Sequence, residues 1–252
     1  MAFDVEADAY GRFMGRWSIP LAERFVELID PRSGQRALDV GCGPGIATRE
    51  LVDRLGEDAV SAIDPSEPFV ASARALFPSA DVRQGSAERL PFENGAFDLA
   101  LAQLVVHFMS DPVAGLSEMA RVTRPGGVVA ACVWDHAGEH GPLADFWKAV
   151  RELDGDAVTE SLLPGTREGD LETLFEAAGL VDRAASVLRV TVAFDSFDDW
   201  WQPFTLGVGP AGDYVARLAL RQRDELRALL AQRLPVGTFE RAASAWTVVA
   251  RS

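Results

Sequence analysis

Cysteine is scarce in this chain, and its scarcity excludes two kinds of site. Only Cys42 and Cys132 occur among the 252 residues. Two thiols without a Cys-x-x-Cys spacing predict neither a disulfide framework nor a cysteine zinc site. We therefore expect both thiols to be reduced.

Positive charge is also limited. The chain has 24 Lys and Arg residues against 38 Asp and Glu residues, which gives a formal net charge of −14. Proteins that bind DNA or RNA gain most of their affinity from Lys and Arg against phosphates. The arginine-rich run at 217–227 has the spacing of a helix with a solvated face. We expect no nucleic-acid partner, and a small neutral or cationic substrate.

Long hydrophobic runs are absent as well. The longest, such as GVVAACVW at 127–134, have the length of a strand and are too short to cross a bilayer. The first residues lack the basic-then-apolar pattern of a secretory signal. We therefore expect a cytoplasmic protein with no membrane partner. The sequence gives no indication of the oligomeric state.

Strand-like and helix-like segments alternate through the first half of the chain, which indicates a parallel sheet with crossover helices. Five strands are expected there, at 36–41, 59–64, 80–85, 97–104 and 127–134. One helix is expected at 111–127, with Asp111 as its cap and Pro125-Gly126-Gly127 as its end. Two more strands are expected at 184–194 and 238–252, before and after a long helical segment at 196–234.

The stretch LDVGCGPG, at 38–45, has the position of a ligand-binding turn. Glycine-rich turns after the first strand lie at the carboxyl edge of such sheets, where ligands bind. The glycines are Gly41, Gly43 and Gly45, and Ile46 follows them, so the G-x-G-x-x-G spacing of dinucleotide sites is not met. Asp39 beside the loop favours a ligand with positive charge. S-adenosylmethionine carries an ammonium and a sulfonium and no phosphate.

A second acid, Asp64, ends the second strand in the sequence SAIDPS. In cofactor sites of this topology an acid at that point can accept both ribose hydroxyls. Pro65 keeps Asp64 extended and ends the strand. The alternative is that Asp64 only caps the following helix.

These motifs together resemble the class I S-adenosylmethionine-dependent methyltransferases, in the broad small-molecule group labelled type 11 or UbiE-like. The resemblance is close over residues 35–135. It is carried by ALDVGCGPG at 37–45, IDPS at 63–66, GSAERLPFENGAFDLALAQLVVHF at 85–108 and EMARVTRPGGVVA at 118–130.

The resemblance implies a Rossmann-like, doubly wound α/β fold. We expect a seven-stranded, mostly parallel sheet with an antiparallel last strand and a helical cap formed by insertions. We predict a single domain over residues 1–252, with a cofactor-binding core at 30–135. Three lid segments, at 1–29, 136–170 and 196–234, are expected to cover the substrate site.

The resemblance also implies how S-adenosylmethionine is held. Gly41, Cys42 and Gly43 would line its methionine and ribose portion, Asp39 would face the amino group and Asp64 would bind the ribose. Gln103 would offer a carbonyl to the ammonium. The remaining residues assigned to the cofactor are Pro65 beside Asp64, Ser86, Ala87 and Glu88 near the adenine, and Tyr10, Met14 and Trp17 in the N-terminal segment. The family often has Asp where this chain has Ser86. Ordinary helix packing is the alternative for the N-terminal three.

Methyl transfer from a sulfonium is an in-line displacement in which a neutral thioether leaves, so alignment and exclusion of water provide most of the catalysis. A general base is needed only for a protonated acceptor. His107, after the fourth strand, is the candidate base, with a structural role as the alternative. His136 and His140, in HAGEH, are candidate substrate contacts. Glycines make a helical metal site there doubtful, and we expect no metal.

Aromatic residues concentrate in the insertions. Trp147, Trp200, Trp201 and Phe204 are candidate walls of an apolar acceptor pocket, or they pack the cap onto the sheet. Three other functions compete with methyl transfer to a small molecule: an NAD-type oxidoreductase, which the loop spacing and Asp39 disfavour; a non-catalytic module that binds S-adenosylmethionine; and nucleic-acid methylation, which the negative charge disfavours. The acceptor and its methylated atom (O, N or C) stay open.

Overall fold

A computed structural model describes residues 7–252 and confirms the expected α/β fold. A single seven-stranded sheet has the order β3-β2-β1-β4-β5-β7-β6. Neighbouring strands from β1 to β5 pair in parallel, and β7 is antiparallel to both β5 and β6. The strands are β1 (Ala37–Val40), β2 (Val60–Asp64), β3 (Asp81–Gln84), β4 (Phe97–Gln103), β5 (Thr123–Trp134), β6 (Val181–Phe194) and β7 (Phe239–Arg251).

Helices cover both faces of the sheet. They are α1 (Ala7–Tyr10), α2 (Arg16–Ile29), α3 (Ile46–Leu55), α4 (Glu67–Leu76), α5 (Pro112–Val122), α6 (Ala144–Leu153), α7 (Asp170–Ala177), α8 (Phe197–Trp201), α9 (Gly209–Arg217) and α10 (Leu220–Arg233). A π-helical turn at Gly11–Gly15 joins α1 to α2, and short turns lie at Glu57–Ala59, Val106–Phe108, Glu160–Leu162 and Gln202–Leu206. None of the helices between residues 7 and 252 has the length and apolar composition to cross a membrane.

The centre of the sheet is buried on both sides, as is typical of parallel sheets. Every residue of β1 and of β2 is buried. β1 lies between β2 and β4, so the strand order reverses beside it. In doubly wound folds this reversal opens a crevice at the carboxyl ends of the strands, and ligands bind there. Asp39, Gly41 and Asp64 are at that end.

The helix expected at 111–127 is shorter than the sequence indicated. Asp111 caps it and Pro112 is its first residue, as expected, but α5 ends at Val122. The Thr123 hydroxyl donates to the Met119 carbonyl at 2.7 Å, and Thr123 already pairs with Phe97 of β4. The Pro-Gly-Gly sequence therefore lies inside β5, where the pairing with β4 shifts register and Gly126 has a φ of 75°. Placing the helix end at these residues was wrong.

The lid segments pack on the sheet and on one another. Phe13 makes an edge contact with Phe204, with ring centroids 5.0 Å apart. Arg16 of α2 pairs with Asp199 of α8 at 2.8 Å. The insertion at 196–234 is helical as expected, although its glycine-rich part (207–212) is mostly the start of α9. Residues 1–6 of the predicted lid lie outside the described residues, and the domain boundaries stay a prediction.

Candidate functional site

The glycine loop after β1 is shaped by left-handed backbone and by bonds to β2. Gly41, Gly43 and Gly45 have φ values of 71°, 54° and 96°, which favour glycine. The backbone N–H groups of Gly41 and Cys42 both donate to the Ile63 carbonyl, at 2.8 and 3.1 Å. A Cβ at Gly43 would meet no atom of the described residues within 4 Å, so these residues leave the loop open at this point.

Asp64 connects the end of β2 to this loop. One carboxylate oxygen accepts from the Gly43 N–H and the other from the Ser66 N–H, both at 2.8 Å. The residue is buried, and burial raises its pKa although the two N–H groups lower it. Each oxygen has a second lone pair, so the carboxylate can accept further hydrogen bonds from a ligand.

Asp39 lies behind the loop, outside the cavity wall. One carboxylate oxygen accepts from the Thr48 hydroxyl in the first turn of α3, at 2.6 Å. The other oxygen is buried and has no hydrogen-bond partner in the described chain. Burial raises the pKa of Asp39 to about 7, and the charge of Asp64 adds to that rise. A positive charge near the loop would favour ionised Asp39.

A cavity of about 700 Å³ opens beside the loop, which is within the range of about 300–1,000 Å³ that holds small ligands. Its wall contains twelve of the residues predicted from the sequence: Tyr10, Met14, Gly41, Gly43, Asp64, Pro65, Ser86, Ala87, Glu88, Gln103, His107 and His136. The structure thus brings together residues from the N-terminal segment, the first four strands and both predicted histidine loops.

Hydrogen bonds of Glu88 connect the loop after β3 to the residues before α5. The Ser86 hydroxyl donates to Glu88 at 2.7 Å, and the other Glu88 oxygen accepts from the Ser110 N–H at 2.8 Å. Ala87 is buried beside them. Glu88 therefore fixes the loop after β3 against the start of the α5 segment.

The N-terminal segment forms one side of the cavity. Tyr10 packs edge-on against Phe69 of α4, with ring centroids 5.5 Å apart. The Gln103 side-chain amide donates to the Ser18 carbonyl of α2 at 2.9 Å, which fastens α2 to the end of β4. The Gln103 side-chain oxygen is buried without a partner among residues 7–252. It is a free acceptor in the wall of the cavity.

Two imidazoles and a carboxylate form the far end of the cavity. His107 and His136 have ring centroids 6.0 Å apart, and Nε2 of His136 is 4.0 Å from Oε1 of Glu160. All three are buried. Burial lowers the pKa of both histidines, that of His107 well below its usual value. Glu160 and Asp135 oppose this lowering at His136, whereas His136 adds to it at His107.

Several predicted residues lie away from the cavity wall. Cys42 has a buried thiol, and burial raises its pKa well above the usual value. Trp17 packs against Phe194 at 5.9 Å between ring centroids. His140 is within hydrogen-bond distance of Asp135 (2.7 Å), and its side chain is 70 % exposed. Cys42, Trp17 and His140 therefore lie outside the cavity wall.

The aromatic residues of the insertions form a packed cluster. Phe204 stacks on Phe146 at 4.6 Å and contacts Trp200 at 4.7 Å and Trp201 at 6.0 Å between ring centroids. Trp147 is buried and its indole N–H donates to Glu160 at 2.9 Å. This cluster supports the cavity from outside its wall.

Some residues of the site have no signal in the sequence. Glu160 lies in the irregular segment after β5, and residues 208–211, at the start of α9, form another part of the wall. Trp134, at the end of β5, also lines the cavity, and its indole N–H has no partner within the described part of the chain. That strand end was expected at the ligand-binding edge, but nothing singled out Trp134. No group of three or more His, Cys, Asp or Glu side chains in residues 7–252 is placed to hold a metal.

Residues 38–131 match the family model described as "Methyltransferase domain". The matched range begins in β1 and ends in β5, so it contains the glycine loop, Asp64 and the β4 end. Residues 38–131 are thus similar to a methyltransferase domain. The resemblance noted from the sequence motifs is confirmed.

Named relatives agree with the methyltransferase domain. The malonyl-[acyl-carrier protein] O-methyltransferase of Erwinia billingiae is 35% identical over 163 residues, which cover 65% of this chain and 62% of the relative. The demethylmenaquinone methyltransferase of Beutenbergia cavernae is 41% identical over 102 residues, 40% of this chain and 42% of that protein. The match therefore spans less than two thirds of either relative.

A solved structure agrees over a longer range. The putative methyltransferase of Bacillus halodurans superposes with a TM-score of 0.59 at 18% identity, covering 91% of this chain and 97% of the other. Because it covers 91% of this chain, the shared fold extends well beyond residues 38–131.

Proposed function

We propose that this protein transfers a methyl group from S-adenosylmethionine to a small-molecule acceptor. The observation that carries the proposal is the continuous cavity that joins the glycine loop and Asp64 to the imidazoles and Glu160. A methyltransferase needs a cofactor and an acceptor in one water-excluding space, with the nucleophile aligned on the methyl group. The two ends of the cavity supply one place for each.

The residues present fit this cofactor. The Gln103 side-chain oxygen and one oxygen of Asp39 are buried acceptors without a donor in the described chain, and the ammonium of the methionine portion carries N–H donors. Gln103 would contact it directly and Asp39 through water.

Asp64 would accept the ribose hydroxyls, and the Gly41–Gly43 backbone would lie along the ribose and methionine portion. The adenine would lie near Pro65, Ser86, Ala87 and Glu88. Tyr10 and Met14 of the N-terminal segment would cover the cofactor, whereas Trp17 packs on Phe194.

The reaction requires little chemistry from side chains. The acceptor's lone pair forms a bond to the methyl carbon, the carbon–sulfur bond breaks, and its electron pair stays on sulfur as a neutral thioether. The chain's residues hold the reactants in line and exclude water. If the acceptor arrives protonated, a neutral imidazole can take the proton. His107 is the base predicted from the sequence, His136 lies beside it, and burial lowers the pKa of both.

The cavity favours neutral or cationic acceptors. Of the described residues that form its wall, none is Lys or Arg. The named Erwinia relative acts on a malonyl group, and a malonyl group carries a free carboxylate. An acidic acceptor of that kind would lack a cationic partner here. From the sequence, we also propose that the protein works in the cytoplasm without nucleic-acid or membrane partners.

Labelled cofactor tests the activity. The purified protein is incubated with trideuteromethyl S-adenosylmethionine and a small-molecule extract, and the products are analysed by mass spectrometry. We expect labelled metabolites with wild type and with the exposed-site control Asp53→Ala, and a strong loss with Asp64→Ala. Cofactor binding without any labelled product would favour the alternative, a non-catalytic module that binds S-adenosylmethionine.

A further inference from the structure

The acceptor end of the cavity contains a buried carboxylate that no Lys or Arg side chain of residues 7–252 neutralises. Glu160 is only 5% exposed, and its Oε2 accepts from the Trp147 indole N–H at 2.9 Å. Its Oε1 is 4.0 Å from Nε2 of His136, which is too long for a hydrogen bond. Burial lowers the pKa of His136, so this imidazole is mainly neutral at pH 7 and does not balance the charge.

A buried carboxylate without a cation is costly, and the cost falls when a cation binds. The wall of the cavity offers no such cation from the described residues, because it contains four carboxylates and neither Lys nor Arg. Three of these acids, Asp64, Glu67 and Glu88, lie at the cofactor end. Glu160 alone of the four lies beside the imidazoles at the other end.

We propose that the acceptor is a small primary or secondary amine whose ammonium group pairs with Glu160. This inference rests on the proposed function, because it assigns the substrate class for the same cavity. Buried apolar side chains in the wall of the same cavity, among them Leu143, Val208 and Trp134, fit an apolar body attached to the amine. The ammonium group would donate hydrogen bonds to both Oε1 of Glu160 and Nε2 of His136.

The neighbouring imidazoles suit such an acceptor. An ammonium must lose one proton before its nitrogen has a lone pair for attack on the methyl carbon. A neutral imidazole within reach can take that proton. His136 is the better placed of the two, because Glu160 and Asp135 stabilise its protonated form, whereas His107 has a buried Nδ1 without a partner in the described chain. The products are the methylated ammonium, neutral S-adenosylhomocysteine and the protonated imidazole, which later gives its proton to solvent.

A matched series of probes tests the proposal. The protein is first saturated with S-adenosylhomocysteine, and 2-phenylethylamine, 2-phenylethanol and phenylacetate are then titrated separately by calorimetry. The three share an apolar body and differ in charge. We expect the amine to bind at least about tenfold more tightly than the alcohol, and phenylacetate to bind most weakly.

Two variants assign the preference to one carboxylate. Glu160→Gln keeps an acceptor for Trp147 and removes the charge, so we expect it to abolish the amine preference and keep the affinity for S-adenosylhomocysteine. Glu139→Gln is the control, because it makes the same charge change at a carboxylate that already has cationic partners. Glu139 pairs with Lys148 at 3.1 Å and with Arg151. It should keep the preference.

The possible failures are distinct. Absence of S-adenosylhomocysteine binding would overturn the proposed function before any probe is added. Given that binding, equal or tighter binding of the alcohol or the acid, or no binding of any probe at millimolar concentration, would overturn the amine proposal. An amine preference that survives in Glu160→Gln would also overturn it. If Glu160→Gln fails to fold, the wild-type series still decides the charge preference.

Discussion

The carboxylate of Asp64 accepts a hydrogen bond from the backbone N–H of Gly43 at 2.8 Å. The acid that ends β2 thereby holds the glycine loop that follows β1. The same residue also accepts from the Ser66 N–H at the start of α4. Three segments of the crevice meet at one side chain, so a change at Asp64 affects both the shape of the loop and the surface it offers to a ligand.

Gly41→Ala should damage the site by steric overlap. A Cβ at Gly41 would lie 2.4 Å from a methyl group of Val105, and its φ of 71° is already unfavourable for alanine. We expect a loss of about 1–3 kcal/mol in the free energy of unfolding from overpacking, added to the backbone strain. Gly207→Ala is the matched control, because Gly207 has nearly the same φ, 72°, and no atom of the described residues lies within 4 Å of its Cβ. Equal losses in urea denaturation of the two variants would contradict the packing argument.

Asp39→Asn should stabilise the ligand-free protein in a pH-dependent way. The pKa of Asp39 is about 7 in the folded protein against an ordinary value of 3.8, so its contribution to stability is present at low pH and is lost as the pH rises through 7. Asparagine carries no such dependence and can still accept from Thr48. The stability of the variant relative to wild type should rise by roughly 4 kcal/mol or less between about pH 4 and pH 8. Urea denaturation across this range measures it, and a constant difference would refute it.

Binding of S-adenosylhomocysteine near neutral pH should release protons. Its ammonium favours the ionised form of Asp39, whose pKa burial has raised to about 7. The pKa of Asp39 falls on binding, and protons leave. Calorimetry at about pH 7 in buffers of different ionisation enthalpy gives the number released. Asp39→Asn should release fewer, and net proton uptake by wild type would be the opposite of this prediction.

Phe204→Ala separates packing from acceptor contact. Phe204 is fully buried against Phe146, Trp200 and Trp201, outside the cavity wall. We expect a loss of about 3–5 kcal/mol in stability, with affinity for S-adenosylhomocysteine little changed in the folded fraction. Leu162→Ala, at a residue that is 78% exposed, should change stability by about 0.5 kcal/mol or less. A small stability loss at Phe204 would instead favour its role as a pocket wall.

The cofactor end of the site could be predicted because its residues are local to strand ends. Asp39 and Asp64 lie in the last two residues of buried strands and Gly41 follows one of them, and parallel strands bring their carboxyl ends to one edge. The break between α5 and β5 was harder to predict. Pro125-Gly126-Gly127 is typical of a helix end, but the pairing of Thr123 with Phe97 across the sheet extends the strand over it.

The acceptor end could not be predicted in the same way. Glu160 lies in an irregular segment with no periodic pattern, in a chain that has 38 acidic residues. Its meaning depends on its contact with Trp147 and its distance from His136, which tertiary packing sets. The aromatic residues of the insertions were candidates for either a pocket or a core, and only the fold shows that Phe204 packs on Phe146.

Calorimetric titration with S-adenosylhomocysteine tests the central claim most directly. Wild type, Asp64→Ala and the exposed control Asp53→Ala are each titrated, and NADH is titrated as a second ligand. The account predicts roughly micromolar binding of S-adenosylhomocysteine to wild type and control, at least about tenfold weaker binding to Asp64→Ala, and no binding of NADH. Failure of wild type to bind S-adenosylhomocysteine, or tight binding of NADH in its place, would contradict it.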